Sequence, residues 1–165
     1  MGGRGAMIEI PREDWRKQPW KNGLGVTFEI LRDPDVDAYD VRISIADDTQ
    51  PATFSTFPGY VRWSFLAGTA PIRLTQPNGT TAALVALGDS LRTAGETVLT
   101  SELPAGATQL LNVIARAELV DAGKIVVGYG PVAHPVRYRF DLVEQIAHRY
   151  HEPTRAETAG CVWIA

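Results

Sequence analysis

Tyr39-Asp40-Val41-Arg42-Ile43-Ser44-Ile45 alternates apolar and polar side chains without a break. Along a β-strand this alternation puts Tyr39, Val41, Ile43 and Ile45 on one face and Asp40, Arg42 and Ser44 on the other. The same division appears before and after it in the chain. Thr27 and Glu29 oppose an apolar set in Val26-Thr27-Phe28-Glu29-Ile30, and Arg62 and Ser64 do so in Val61-Arg62-Trp63-Ser64-Phe65. A polar strand face usually meets water. These three carry Arg, Ser, Thr and Glu, however, and the planar fork of arginine suits carboxylates. The alternative is a polar-lined barrel interior, where Arg42 pairs with Glu29 or takes its partner from a ligand carboxylate.

Outward from this centre the chain repeats short apolar or alternating runs and shows little helical periodicity. Further strands are predicted over Ile72 to Thr75, Ala82 to Leu87, Thr97 to Thr100, Gln109 to Ala115, Lys124 to Tyr129, Val136 to Val143 and Cys161 to Ile164. Turn signals separate them, among them Asp33-Pro34-Asp35, Pro58-Gly59, Pro77-Asn78-Gly79, Gly88-Asp89 and Pro104-Ala105-Gly106. Arg12 to Lys17 suits a short helical turn. Leu142 to His151 suits a helix, because Leu142, Ile146 and Tyr150 recur at every fourth position. His151 to Gly160, polar and broken by Pro153, is expected to be a loop. The expected fold class is all-β, a sandwich or barrel forming one compact domain over residues 8–165. The glycine-rich residues 1–7 are expected to be a flexible extension.

A chain of 165 residues with 45% apolar content can close one core without disulfide or metal support. The net charge of −3, from 16 basic and 19 acidic residues spread along the chain, leaves no footprint for nucleic acid or an anionic membrane. No apolar run reaches the roughly 20 residues of a membrane span, and none serves as a signal peptide. Gly2 invites myristoylation, but Ala6 stands where that motif requires Ser or Thr. Cys161 is the single cysteine, which rules out an intramolecular disulfide and suits a reducing, cytoplasmic location. It is expected to be a small buried hydrophobe.

The most distinctive stretch is Pro19-Trp20-Lys21-Asn22-Gly23-Leu24-Gly25-Val26-Thr27-Phe28-Glu29-Ile30, where a tryptophan and a Gly-x-Gly hinge feed into a polar-faced strand. It resembles the HutD/Ves signature P-W-K/R-N-G-G-G-x-T-R-E-I/L. Asp40 to Ala46 is similar to that family's D-W-R-x-S-x-A strand, Phe54 to Arg62 to its F-S-x-F-P-G-x-D-R turn, and Leu111 to Arg116 to its D-L-N-V-M-x-R block. The four blocks fall in family order between Trp20 and Arg116.

The resemblance implies a cupin-like, RmlC-like jelly-roll double barrel. It also implies a family often associated with bacterial histidine utilisation and regarded as regulatory small-molecule binders. It marks Trp20, Asn22, Gly23, Gly25, Thr27, Glu29, Arg42, Ser44, Arg62 and Asn112 as ligand-binding positions. The chain departs from the pattern at Leu24, Phe28, Val41 and Val61, and losing the family's Arg and Asp at 28 and 61 would either remove a charge pair or alter the ligand.

Metal-dependent cupins need clustered histidines, whereas this chain has only His134, His148 and His151. His148 and His151, with Glu144 or Glu152 on a shared helix face, form the one arrangement that could hold a metal. The expectation is no metal and no cofactor. There is no Gly-x-Ser-x-Gly elbow, and no Lys-Ser/Thr follows Gly23-Leu24-Gly25 to make a phosphate loop. Two alternatives stand beside a binding role. One is a metal-independent acid/base enzyme using Glu29 with Arg42 as an anion clamp. The other is a protein interaction module using Trp15, Trp20, Trp63 or exposed β-edges as its interface. The expected partner is a small, carboxylated polar metabolite bound by Arg42 and Arg62, with Asn22 and Asn112 reading amide or carboxyl groups. A homodimer is left open as the assembly.

Overall fold

The alternation of the central strands is explained by a sheet that is covered on both faces. A computed structural model describes residues 6–165. Its elements are β1 (Met7–Ile10), a 3-10 turn (Arg12–Asp14), β2 (Arg16–Pro19), β3 (Gly25–Asp33), β4 (Val41–Asp48), β5 (Tyr60–Leu66), β6 (Ile72–Thr75), β7 (Thr81–Leu84), β8 (Ser90–Ala94), β9 (Thr100–Glu102), β10 (Thr108–Arg116), α1 (Ala117–Asp121), β11 (Val127–Tyr129), β12 (Val136–Asp141), β13 (Ile146–Thr154) and β14 (Cys161–Ile164). They form a central six-stranded sheet in the order β2-β3-β4-β10-β5-β8, a five-stranded sheet β1-β13-β12-β14-β11 and a three-stranded sheet β7-β6-β9. All pairings are antiparallel, and the fold is cupin-like and all-β.

One face of the central sheet supplies Val41, Ile43, Ile45, Val61, Trp63, Phe65, Leu111, Val113 and Ala115, which pack with Tyr138, Phe140, Ala147, Val162 and Ile164 of the five-stranded sheet. This is the main core, and burying side chains of this size at ~25 cal/mol per Å² of apolar surface makes it the chief source of stability. On the opposite face Leu66 and Leu110 pack with Ile72, Leu74 and Leu84 of the three-stranded sheet. The expected water-facing side of the strands is therefore also roofed. Among the described residues no helix is long and apolar enough to cross a membrane.

Several local expectations are corrected. Met7, assigned to the flexible extension, opens β1 and pairs with Tyr150, while residues 1–5 lie outside the described residues. Arg12 to Lys17 is only partly helical, since β2 begins at Arg16. Leu142 to His151 is not a helix. Asp141 Oδ1 accepts from the amides of Val143 and Glu144, and Gln145 takes a positive φ of 53°, which turns the chain into β13. That strand continues to Thr154, through the first part of the expected loop. The strand expected at Thr97 to Thr100 begins instead at Thr100, and α1, β1, β2 and β8 had no predicted counterpart.

Candidate ligand-binding site

Cross-strand register arranges the second face of the central sheet in rows. Arg32, Arg42, Ile114, Arg62 and Thr93 lie side by side in one row, and Glu29, Ser44, Asn112 and Ser64 in the next. Thr27, Ala46, Leu110 and Leu66 form the third, and Gly25, Asp48 and Thr108 the fourth. Arg32 reaches this face because of a bulge in β3: the register shifts between Glu29 and Leu31, so that Arg32 pairs with Arg42. Strict alternation would have sent it into the core.

The rows floor a cavity of about 590 Å³. Its walls include Trp20, Tyr39, Phe54 and Phe57. Of the residues expected at the site, Trp20, Asn22, Thr27, Glu29, Arg42, Ser44, Arg62 and Asn112 line it. Gly23 and Gly25 do not; they shape the hinge. Gly23 takes a φ of 71° in the turn, and its amide donates to the Trp20 carbonyl at 3.0 Å. Gly25 lets the tryptophan lie flat against the strand, because a Cβ there would sit 2.9 Å from Trp20 Cε3 and 2.8 Å from the Asp47 carbonyl oxygen. Trp20 Nε1 donates to Thr27 Oγ1 at 2.8 Å, and its ring meets Phe54 edge-on with centroids 5.9 Å apart.

The arginines do not share one task. Glu29, only 3% exposed, accepts from Arg42 Nε at 2.9 Å. It also lies 3.3 Å from Arg32 Nε and 3.7 Å from Arg16 Nη1. Arg42 further donates to Gln18 Oε1 at 2.8 Å. Glu29 is thus the common counter-ion of three guanidinium groups. Its Oε1 is committed to Arg42 and Arg32, whereas Oε2 makes only the long contact with Arg16.

Arg62 differs. It is 5% exposed and donates from Nη2 to the Ser55 carbonyl at 2.5 Å, yet among the described residues it has no carboxylate partner and its Nε is unbonded. Its guanidinium carbon lies 4.9 Å from the Phe57 ring centroid, and Arg42 approaches the same ring at 6.0 Å. Burial, reinforced by the like charge of Arg42, pulls the Arg62 pKa down to about 10. Beside it, Ser64 Oγ donates to Asn112 Oδ1 at 2.8 Å, and Asn112 lines the cavity. Asn22 spends its side-chain oxygen locally, accepting from the Leu24 amide at 3.0 Å.

Sequence reasoning missed Arg32, Tyr39, Asp48, Phe54 and Phe57 as lining residues. Tyr39 was assigned to the apolar face but lies just before β4 and lines the cavity instead. The adjacent apolar pair Ile30-Leu31 was the available signal for the bulge that turns Arg32 inward. The four departures from the HutD/Ves pattern are all outside the cavity lining: Phe28, Val41 and Val61 belong to the main core or pack against it, and Leu24 lies in the hinge. The expected effect of positions 28 and 61 on the ligand is therefore not a direct contact.

The candidate metal arrangement does not form. His148 and His151 lie on β13, where positions three apart point to opposite faces, and among the described residues no three His, Cys, Asp or Glu side chains are grouped for a metal ion. Trp63 is buried in the main core, and Trp15 is partly buried against it.

Fold and site together define a cupin-like β-protein with a polar, arginine-bearing cavity. The chain belongs to the HutD family, whose model matches residues 12–127. It is 35% identical over 104 residues, 62% of this chain, to an uncharacterized 21.2 kDa protein in the hutC 3' region of Pseudomonas putida. The matched part is 54% of that relative's length, so the chain spans about half of it. The structure is similar to HutD from Pseudomonas fluorescens SBW25, determined in a formate condition, with a TM-score of 0.73 and 24% identity, covering 96% of this chain and 97% of that one. It is also similar to a conserved protein of unknown function from Pseudomonas aeruginosa PAO1, with a TM-score of 0.71, 21% identity and 96% coverage of both chains. The fold likeness thus extends through β12, β13 and β14, beyond the residues the family model matches.

Proposed function

We propose that this chain is a metal-free binding protein for a small carboxylated metabolite and acts as its sensor or regulator. Arg62 carries this reading. A buried guanidinium without a counter-ion is costly, and a carboxylate entering the cavity would complete it with charge-assisted hydrogen bonds. Arg42, committed to Glu29, contributes field and shape more than a free donor. Asn112, Ser44 and Thr27 add polar contacts, and Trp20, Phe54 and Phe57 exclude water. The hut-region setting of the Pseudomonas putida relative supports a metabolite of histidine or related amino-acid catabolism. A protein of this kind works in the cytoplasm.

The test is thermal stability and calorimetric binding against a panel of small carboxylates and their amides, with product formation followed in parallel. Carboxylates are expected to raise Tm and their amides to do so far less. The Arg62→Gln variant should lose this effect. Turnover of the bound compound, or an unchanged carboxylate response in Arg62→Gln, would overturn the reading.

A further inference from the structure

The cavity contains a second buried charge that the carboxylate reading does not use. Asp48 closes the face of β4 that begins with Arg42, and lines the cavity in the fourth row. It is 0% exposed, and neither of its carboxylate oxygens has a hydrogen-bond partner among the described residues. An unpaired buried carboxyl is as expensive as an unpaired guanidinium. Its cross-strand neighbours do nothing to relieve it: Gly25 on β3 has no side chain, and the Thr108 hydroxyl donates to the Ala70 carbonyl at 2.6 Å. Arg42 and Arg32 are held by Glu29, and Lys21 is exposed and forms no ion pair among the described residues. Burial, with the adjacent Asp47 charge adding to it, pushes the Asp48 carboxyl up to about 7, the response of a group that lacks a cation.

Aromatic surface adjoins this end. Gly25 is paired with Asp48, and the Trp20 ring lies over Gly25, one strand spacing of roughly 5 Å away. The cavity therefore offers an unmatched cation at Arg62 and an unmatched anion at Asp48, with tryptophan beside the anion. A cationic nitrogen at Asp48 would gain both the carboxylate and the ring.

We propose that the Asp48 end is a recognition subsite for an ammonium or similar cationic nitrogen, so that the fitting ligand is an extended zwitterion with its carboxylate at Arg62. This rests on the carboxylate reading of the Arg62 end. Arg62 and Asp48 stand in rows six residues apart along the strands, roughly 20 Å between Cα atoms, and on strands two apart in the sheet, roughly 10 Å, so the ligand that reaches both is a long one.

The experiment compares three matched series on the wild-type protein by calorimetry. These are unbranched ω-amino acids of about four to about twelve carbons, long enough to cover the separation of the two rows, the same chains ending in a neutral carboxamide, and the plain monocarboxylates. At the best length the amine is expected to bind at least about tenfold tighter than either partner, the gain of one charge-assisted contact. Asp48→Asn should bring that ratio to about 1, whereas Arg62→Gln should weaken all three series. If monocarboxylates bind but no amine binds better, the Asp48 subsite is wrong and the Arg62 reading stands. Equal binding of amide and amine overturns the cationic assignment. If no series binds, both readings fall.

Discussion

Glu29 and Arg42 lie on adjacent strands and meet at 2.9 Å inside the protein. Because Arg32 and Arg16 share the same carboxylate, Glu29→Gln would leave a group of guanidinium ions with one fewer neutralising charge. Breaking a buried pair from one side costs roughly 3 kcal/mol or more. Urea denaturation of Glu29→Gln should show a loss of that size. A loss within experimental error of zero would mean that solvent or exposed Asp35 and Asp37 neutralise the arginines without it.

The raised carboxyl of Asp48 predicts a pH signature. Its folded-state value of about 7 is above the ordinary 3.8, so between those values the native protein holds more protons than the unfolded chain. The favourable contribution is complete below about pH 3.8 and lost as pH rises through 7, amounting to a few kcal/mol at most. Denaturation of wild type and Asp48→Asn across this range should show the mutant gaining on the wild type as pH rises, and more stable than it at pH 8. A constant difference would contradict the burial of an ionisable group there.

Gly25 and Gly23 should respond differently to alanine. At Gly25 the new methyl meets Trp20 and the Asp47 carbonyl, and overpacking of this kind costs about 1–3 kcal/mol while displacing the tryptophan. At Gly23 nothing lies within 4 Å, and only the left-handed φ is strained, a cost near 1 kcal/mol. Ligand affinity, measured alongside stability, should fall in Gly25→Ala and hold in Gly23→Ala. Equal losses of affinity would remove Trp20 from the binding wall.

Cys161 is buried in β14, and desolvation raises its thiol above the ordinary range. A thiol-specific disulfide reagent should label it negligibly in the native protein and stoichiometrically in guanidinium chloride. Rapid native labelling would show that the five-stranded sheet opens readily at β14, although that strand is paired on both sides.

Period-two alternation made the central strands legible, and with them Glu29, Arg42, Ser44 and Arg62. Alternation reports that two faces differ, not whether either is exposed, so the covering of this face, by β6, β7 and β9 over Leu66 and Leu110 and by residues 53–57 at the cavity, was invisible. Arg32 was lost to the bulge, and Asp48 to a strand expected to end at Ala46 that runs two residues further. The helix expected around Ile146 failed because a spacing of four places residues on one side of a helix and equally on one side of a strand. The chain instead turns on Asp141 and Gln145, whose side-chain and φ geometry decide the matter locally. β8 is short and mostly exposed, with Arg92 laid over Trp63 at 5.3 Å, and has little apolar pattern to read.

The central sheet is a wall one residue thick. Positions 41, 43 and 45 face the core, while 42, 44, 46 and 48 face the chamber. Selectivity can therefore be rewritten by exchanging Ser44 and Ala46, which carry no ion pair, while the neighbouring odd-numbered residues hold the architecture. That makes this strand a natural cassette for redesign, provided no residue is inserted, since a single insertion would exchange foundation and furnishing at every downstream position.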